Sequence, residues 1–229
     1  MPILGDYISI KHGYAFKGDY ISTEDNGIVL VTPGNFVIGG GFKENKCKYF
    51  TNDYPQEYVL HPNDLIVTMT DLSKDGDTLG YSALVPKTSR IYLHNQRIGL
   101  VQINSDEISK DYLYWFMRTR KYQKQIVATA SGSTVKHTSP NRICEIEIDL
   151  PTLVEQNRIA AVLNNIEQKM SLNVRVNNNL PPHLCVARIA AKQRRQTPQT
   201  DGCLHTDGKV SVRGDNEETA EQFSSLLAA

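Results

Sequence analysis

This chain of 229 residues has no long apolar run. A membrane span needs about 18 or more consecutive apolar residues, so none is expected. Cysteine is scarce: Cys47, Cys144, Cys185 and Cys203 lie far apart and form no CxxC pair. That argues against a zinc site and for reduced thiols. Neither sign of charge dominates, with 25 Lys+Arg against 25 Asp+Glu. A neutral total leaves open whether a local basic face exists. The N-terminus, MPILGDYISIKHG, lacks a basic stretch followed by an apolar core, so the expected location is the cytoplasm.

Catalytic signatures are missing too. No phosphate-cradling GxxxxGK[ST], GxSxG elbow or HExxH occurs. A methyltransferase of the Asn/Asp-Pro-Pro-aromatic kind would need an acidic or amide residue before the prolines, and Leu180 stands there. Glu44-Asn-Lys46 has the ExK spacing of a nuclease without the upstream Pro-Asp. Asp71, Asp75 and Asp77 suggest a calcium loop, but its twelfth position holds Ser82 rather than Glu. A solvated loop is the simpler reading.

Hydrophobic content of 40% and charged content of 22% fit a globular protein. The first 105 residues read mostly as short strands: 7–10, 27–31, 64–69, 79–85 and 98–103, separated by turn residues such as those of His61-Pro-Asn-Asp64. Gly39, Gly40 and Gly41 mark a turn or a close backbone approach. A helix is predicted from Ser109, its N-cap, to about Val127. Its inward stripe would be Tyr112, Trp115, Phe116, Thr119, Tyr122 and Ile126. A polar loop over 130–140 and a strand over 145–148 would close the domain. The fold class expected is α+β: a β-rich domain with a packed helix over 1–150, a long helix over 151–180 and a weakly ordered tail over 181–229, with a short helix over 217–227 conceivable.

The long helix carries the clearest local signal. Thr152 and Glu155 form a capping box, in which hydroxyl and carboxylate each satisfy a backbone N–H at the helix start. Ile159, Val162, Leu163, Ile166 and Met170 follow at spacings of three and four, making a narrow stripe. Such a stripe suits a seam against one partner helix, or packing against the chain's own domain. Pro181-Pro182 would stop the helix.

What remains is chemistry for binding. Basic and amide residues recur in loops: Lys74, then His94, Asn95, Gln96 and Arg97, then Lys136 and His137. Arg and Lys hold phosphates or pair with guanine, and Asn and Gln pair with adenine. One such cluster is ordinarily just solvated. Their repetition makes these seven the candidate contacts to double-stranded DNA.

Taken in order, the motifs resemble a known family. Pro151 to Leu163, PTLVEQNRIAAVL, followed by Lys169-Met-Ser-Leu-Asn173, is similar to the helix start of specificity subunits of type I restriction-modification systems. Leu4-Gly-Asp6 with Lys11-His-Gly13 resembles the opening of their target recognition domains. Asn63 to Met69, Asn95-Gln-Arg-Ile98, Asp111-Tyr-Leu-Tyr114 and Ser131-Gly-Ser-Thr134 match in order, so the resemblance covers roughly residues 1–180. It implies a non-catalytic, half-length subunit with one recognition domain and one spacer helix, reading half of a bipartite DNA site. It also implies modification and restriction subunits as partners, a homodimer or second specificity chain, and S-adenosylmethionine, ATP and magnesium bound by those partners rather than by this chain. Where full-length members continue the helix, this chain has Pro181-Pro182, so a truncated or regulatory fragment is the alternative.

Overall fold

The computed structural model describes residues 1–71, 73 and 75–179. The predicted tail, its Pro181-Pro182 stop and its short helix lie outside the described residues, as does Lys74. In chain order the strands are β1 (Ile8–His12), β2 (Ile21–Ser22), β3 (Ile28–Val31), β4 (Lys48–Phe50), β5 (Val59–Leu60), β6 (Leu65–Thr68), β7 (Thr70–Asp71), β8 (Ser82–Leu84), β9 (Ile91–His94), β10 (Ile98–Ile103) and β11 (Lys136–His137). The α-helices are α1 (Lys110–Phe116), α2 (Arg120–Ala128), α3 (Pro140–Cys144) and α4 (Leu153–Asn178). The architecture is α+β, as expected. By compactness the chain divides at Ala160/Ala161, inside α4. Among the described residues no helix is long and apolar enough to cross a membrane.

Two large sheets and the small β7-β11 pair build the first unit. One is antiparallel, in the order β1-β10-β6-β8. The other runs β2-β4-β3-β9-β5, with β3 and β9 parallel. Val29, Val31 and Tyr92 of the second sheet share one buried apolar cluster with Ile66, Ala83 and Ile98 of the first. Leu30 and Leu93 point the other way, into a smaller cluster with Phe50. Coverage on both faces explains why β3 reads as a continuous apolar run rather than an alternating one. Phe36 in the larger cluster is fully buried, and a side chain so placed contributes about 1.5–3 kcal/mol.

The predicted helix over 109–127 is in fact two. α1 ends at Phe116, and the Thr119 hydroxyl donates to Phe116 O at 2.8 Å while accepting from Tyr122 N at 3.3 Å. Thr119 is thus the N-cap of α2 rather than a member of an inward stripe. Ser109 occupies the N-cap of α1, but its hydroxyl makes no capping bond. The predicted strand over 145–148 is also corrected. Glu145 is the helical C-cap of α3, and the residues after it pair with the N-terminus through Leu4 N to Ile146 O, 2.9 Å, and Ile148 N to Pro2 O, 3.0 Å. This amounts to an isolated bridge, Ile3 to Glu147.

The glycine run behaves as predicted. Gly39, Gly40 and Gly41 all have positive φ, and a β-carbon on Gly40 would overlap the Arg118 side chain. Arg118 lies 4.4 Å from the Trp115 ring centroid and donates from Nε to Gly39 O at 2.9 Å. The Asp71 loop is built around its carboxylate. Ser73 N donates at 2.7 Å and Thr78 Oγ1 at 2.7 Å, and Thr78 N donates as well. Burial would raise this carboxyl, but those hydrogen bonds outweigh it and the net shift is downward.

Candidate nucleic-acid interface

The site is built where the chain crosses from one sheet to the other. β9 ends at His94, a turn occupies Asn95–Arg97, and β10 begins at Ile98. Main-chain bonds fix this turn on three sides. Ile98 N donates to Asn95 O at 2.9 Å, Gln96 N to Tyr14 O at 2.9 Å, and Met69 N to Arg97 O at 2.9 Å. Gly13 permits the approach of the Tyr14 segment. A β-carbon at residue 13 would collide with the carbonyl of Asn95 and sit 2.7 Å from that of His94. The glycine of the Lys11-His-Gly13 motif therefore has a steric reason: two backbones nearly touch there.

His94 braces the turn from inside. It is 1% exposed, and its Nε2 lies 2.8 Å from Ile98 O. Burial pushes its pKa down to about 4, and the charges of Lys11 and His12 push the same way. The sequence-based assignment of His94 as a DNA contact is therefore corrected. It is a neutral, buried side chain that cannot reach a ligand. The sequence signal is the apolar run Ile91-Tyr-Leu93 just before it, of which Tyr92 and Leu93 are buried in the two different clusters.

A second strand pair meets the turn. β11 pairs with β7, with Lys136 opposite Asp71 and His137 opposite Thr70. Thr138 N donates to Met69 O at 3.0 Å, and Thr70 Oγ1 lies 3.1 Å from His137 Nδ1. As a result Gln96, Arg97 and His137 line one depression of about 390 Å³. His12, at the end of β1, joins them, with Met69, Thr70 and Thr138 completing the lining. His12 is not among the contacts expected from the sequence. The pairing of Lys11 with Leu100 and His12 with Gly99 carries it here, and nothing local in the sequence announces that. Lys11 is engaged elsewhere, donating to Glu57 O at 2.8 Å.

Of the other predicted contacts, Asn95 is half-buried and its Oδ1 accepts from Arg97 N at 3.4 Å. Lys136 is half-buried in β11, while Gln96, Arg97 and His137 are exposed. Lys74 lies outside the described residues.

The long helix starts as the motif predicted. Glu155 N donates to Thr152 Oγ1 at 3.4 Å, and Thr152 N to Glu155 Oε2 at 3.0 Å. The Thr152 hydroxyl, donating to Glu155 Oε2 at 2.8 Å, and then the Thr152 N–H hold the Glu155 carboxyl below its usual range. Gln156, beside it, is fully buried. It accepts from Ser109 N at 2.8 Å and donates to Glu107 O and Pro151 O, both at 2.9 Å. Of the predicted seam, Leu163 is buried and Ile159 and Ile166 are half-buried, whereas Val162 and Met170 are about half exposed, at 52% and 50%.

Comparison with known proteins places these features. The chain is 30% identical over 158 residues to the specificity subunit of the type I restriction enzyme EcoBI of Escherichia coli, covering 69% of this chain and 30% of that protein. It is 24% identical over 173 residues to the MjaVIII specificity subunit of Methanocaldococcus jannaschii, covering 74% and 39%. The chain thus spans well under half the length of these relatives. Among solved structures, one from work on complex assembly and conformational transition of a type I R-M system aligns with a TM-score of 0.54 at 16% identity, covering 85% of this chain and 42% of that one. The type I restriction-modification S subunit of M. genitalium aligns at 0.52 and 15% identity, covering 78% and 42%. Those two likenesses concern the fold. Residues 3–181 match the type I restriction modification DNA specificity domain, and the chain belongs to that family.

Proposed function

We propose that this chain reads one half of a bipartite DNA site and docks the modification and restriction subunits of a type I restriction-modification complex. The observation that carries the reading is the convergence of Gln96, Arg97 and His137 on one depression, from segments far apart in sequence. Side chains that bond bases or phosphates are there held on a frame of main-chain bonds. Family membership supports the same reading.

In this proposal the chain does no chemistry and works in the cytoplasm. S-adenosylmethionine, ATP and magnesium belong to the partners. The nuclease alternative is not favoured. Glu44 accepts the Tyr92 hydroxyl at 2.6 Å, and Lys46 holds a tight turn with φ of 57°. α4 is the docking element, joining this copy to a second copy or to another specificity chain and leaving Val162 and Met170 to face it.

Co-expression of the chain with a modification subunit, followed by mapping of methylated adenines, tests the reading. A defined bipartite motif is expected. An intact complex that methylates nothing would instead identify a regulatory fragment. Sedimentation of the chain alone and with its partner tests self-association, and a monomer at high micromolar concentration in both would reject the paired form.

A further inference from the structure

The lining of the depression is rich in donors and lacks carboxylates. Arg97 offers five N–H groups, and Gln96 offers an amide. His12 and His137 offer ring nitrogens. No Asp or Glu lines it among the described residues. The nearest carboxylate in sequence, Asp71, has both oxygens engaged by Ser73 and Thr78. Such an imbalance disfavours a cation and favours an anion with several acceptor oxygens.

A second observation points the same way. The side chains of Arg97 and Gln96 have no partner among the described residues, so their donors are left facing the depression.

We propose that this depression is a phosphate site, and that its occupant is one phosphodiester of the DNA backbone, bound by Arg97, Gln96 and His137. This rests on the DNA-reading role above and assigns Arg97 to positioning the duplex rather than to reading a base. A phosphate held against the turn fixes the register in which other loops meet base edges.

The test uses the full chain with its modification subunits and fluorescent duplexes, titrated with salt. Arg97→Ala is expected to weaken cognate and unrelated duplexes by the same factor. It should also flatten the slope of log affinity against log salt by about one unit. Loss confined to the cognate duplex, with an unaltered slope, would make Arg97 a base reader and overturn the proposal. Should the wild-type complex bind no duplex, the DNA reading fails on its own. Inorganic phosphate at fixed ionic strength then decides. Movement of the His137 imidazole resonances in the wild type but not in Arg97→Ala would sustain a phosphate site for a free ligand, and no movement would overturn it.

Discussion

The backbone N–H of Ser109 donates to the side-chain carbonyl of Gln156 at 2.8 Å. The first turn of α4 thereby supplies the acceptor for the start of α1, where the Ser109 hydroxyl makes no capping bond. The other end of the same amide holds Glu107 O and Pro151 O. One fully buried side chain ties residues 107–109 to Pro151 and the head of α4, which gives the Glu155-Gln156 pair a physical meaning: the first caps and the second clamps.

Gln156→Leu keeps the volume and removes all three bonds. Each buried polar group left without a partner costs about 1–3 kcal/mol, so a loss of roughly 2–4 kcal/mol is expected after partial rearrangement. Urea denaturation of the full chain measures it. A loss under about 0.5 kcal/mol, the level of an ordinary surface substitution, would mean that water replaces the clamp.

Gly13→Ala places a methyl against the Asn95 carbonyl. Overpacking of this kind costs about 1–3 kcal/mol, and relief requires the Asn95–Arg97 turn to move. Both a lower melting temperature and altered amide resonances at Gln96 and Ile98 are expected. Unchanged spectra with full stability would refute the close approach.

His94 links stability to pH. Its pKa is about 4 in the folded chain and near the ordinary value of about 6.5 when unfolded. The unfolded state therefore binds more protons between those values. The contribution is complete above about pH 6.5, and it is lost as pH falls toward 4. The full window corresponds to roughly 3 kcal/mol. His94→Gln should flatten that part of the stability profile relative to wild type. Parallel profiles for the two proteins would show that His94 does not titrate in this way.

Asp71→Asn removes the charge from a carboxylate that gathers Ser73 and Thr78. The loop should loosen and the β7–β11 pair with it. Faster hydrogen exchange at the His137 amide, which donates to Ser131 O at 2.8 Å, is the readout. Exchange at the wild-type rate would place the support for that strand pair elsewhere.

Much of the frame was legible in residue pattern because it follows local rules. The Thr152–Glu155 box depends on two side chains three residues apart, and β3 and the strands of the β1-β10-β6-β8 sheet depend on short apolar runs between turns. The break at Met117–Thr119 was not legible. Apolar spacing of three and four continues across it, so periodicity alone reads one helix, and Thr119 looks like a stripe residue until its hydroxyl is seen serving both ends. His94 was misread for the opposite reason. A histidine beside Asn, Gln and Arg looks like loop chemistry, yet burial is decided by the two clusters that sandwich β9, and these are assembled from distant segments. The same non-locality hid His12, which reaches the depression through strand register. Gln96 and Arg97 in an exposed turn, and His137 at an exposed position of β11, keep their side chains out of the core whatever lies beneath them.

The turn from Asn95 to Arg97 is held through N–H and C=O groups, not through the side chains of residues 96 and 97. Those two positions are thus free to mutate at small cost in folding energy. Replacing them alters the chemistry of the depression while leaving its framework intact, so how strongly it holds a ligand can be tuned by single substitutions rather than by rebuilding the fold.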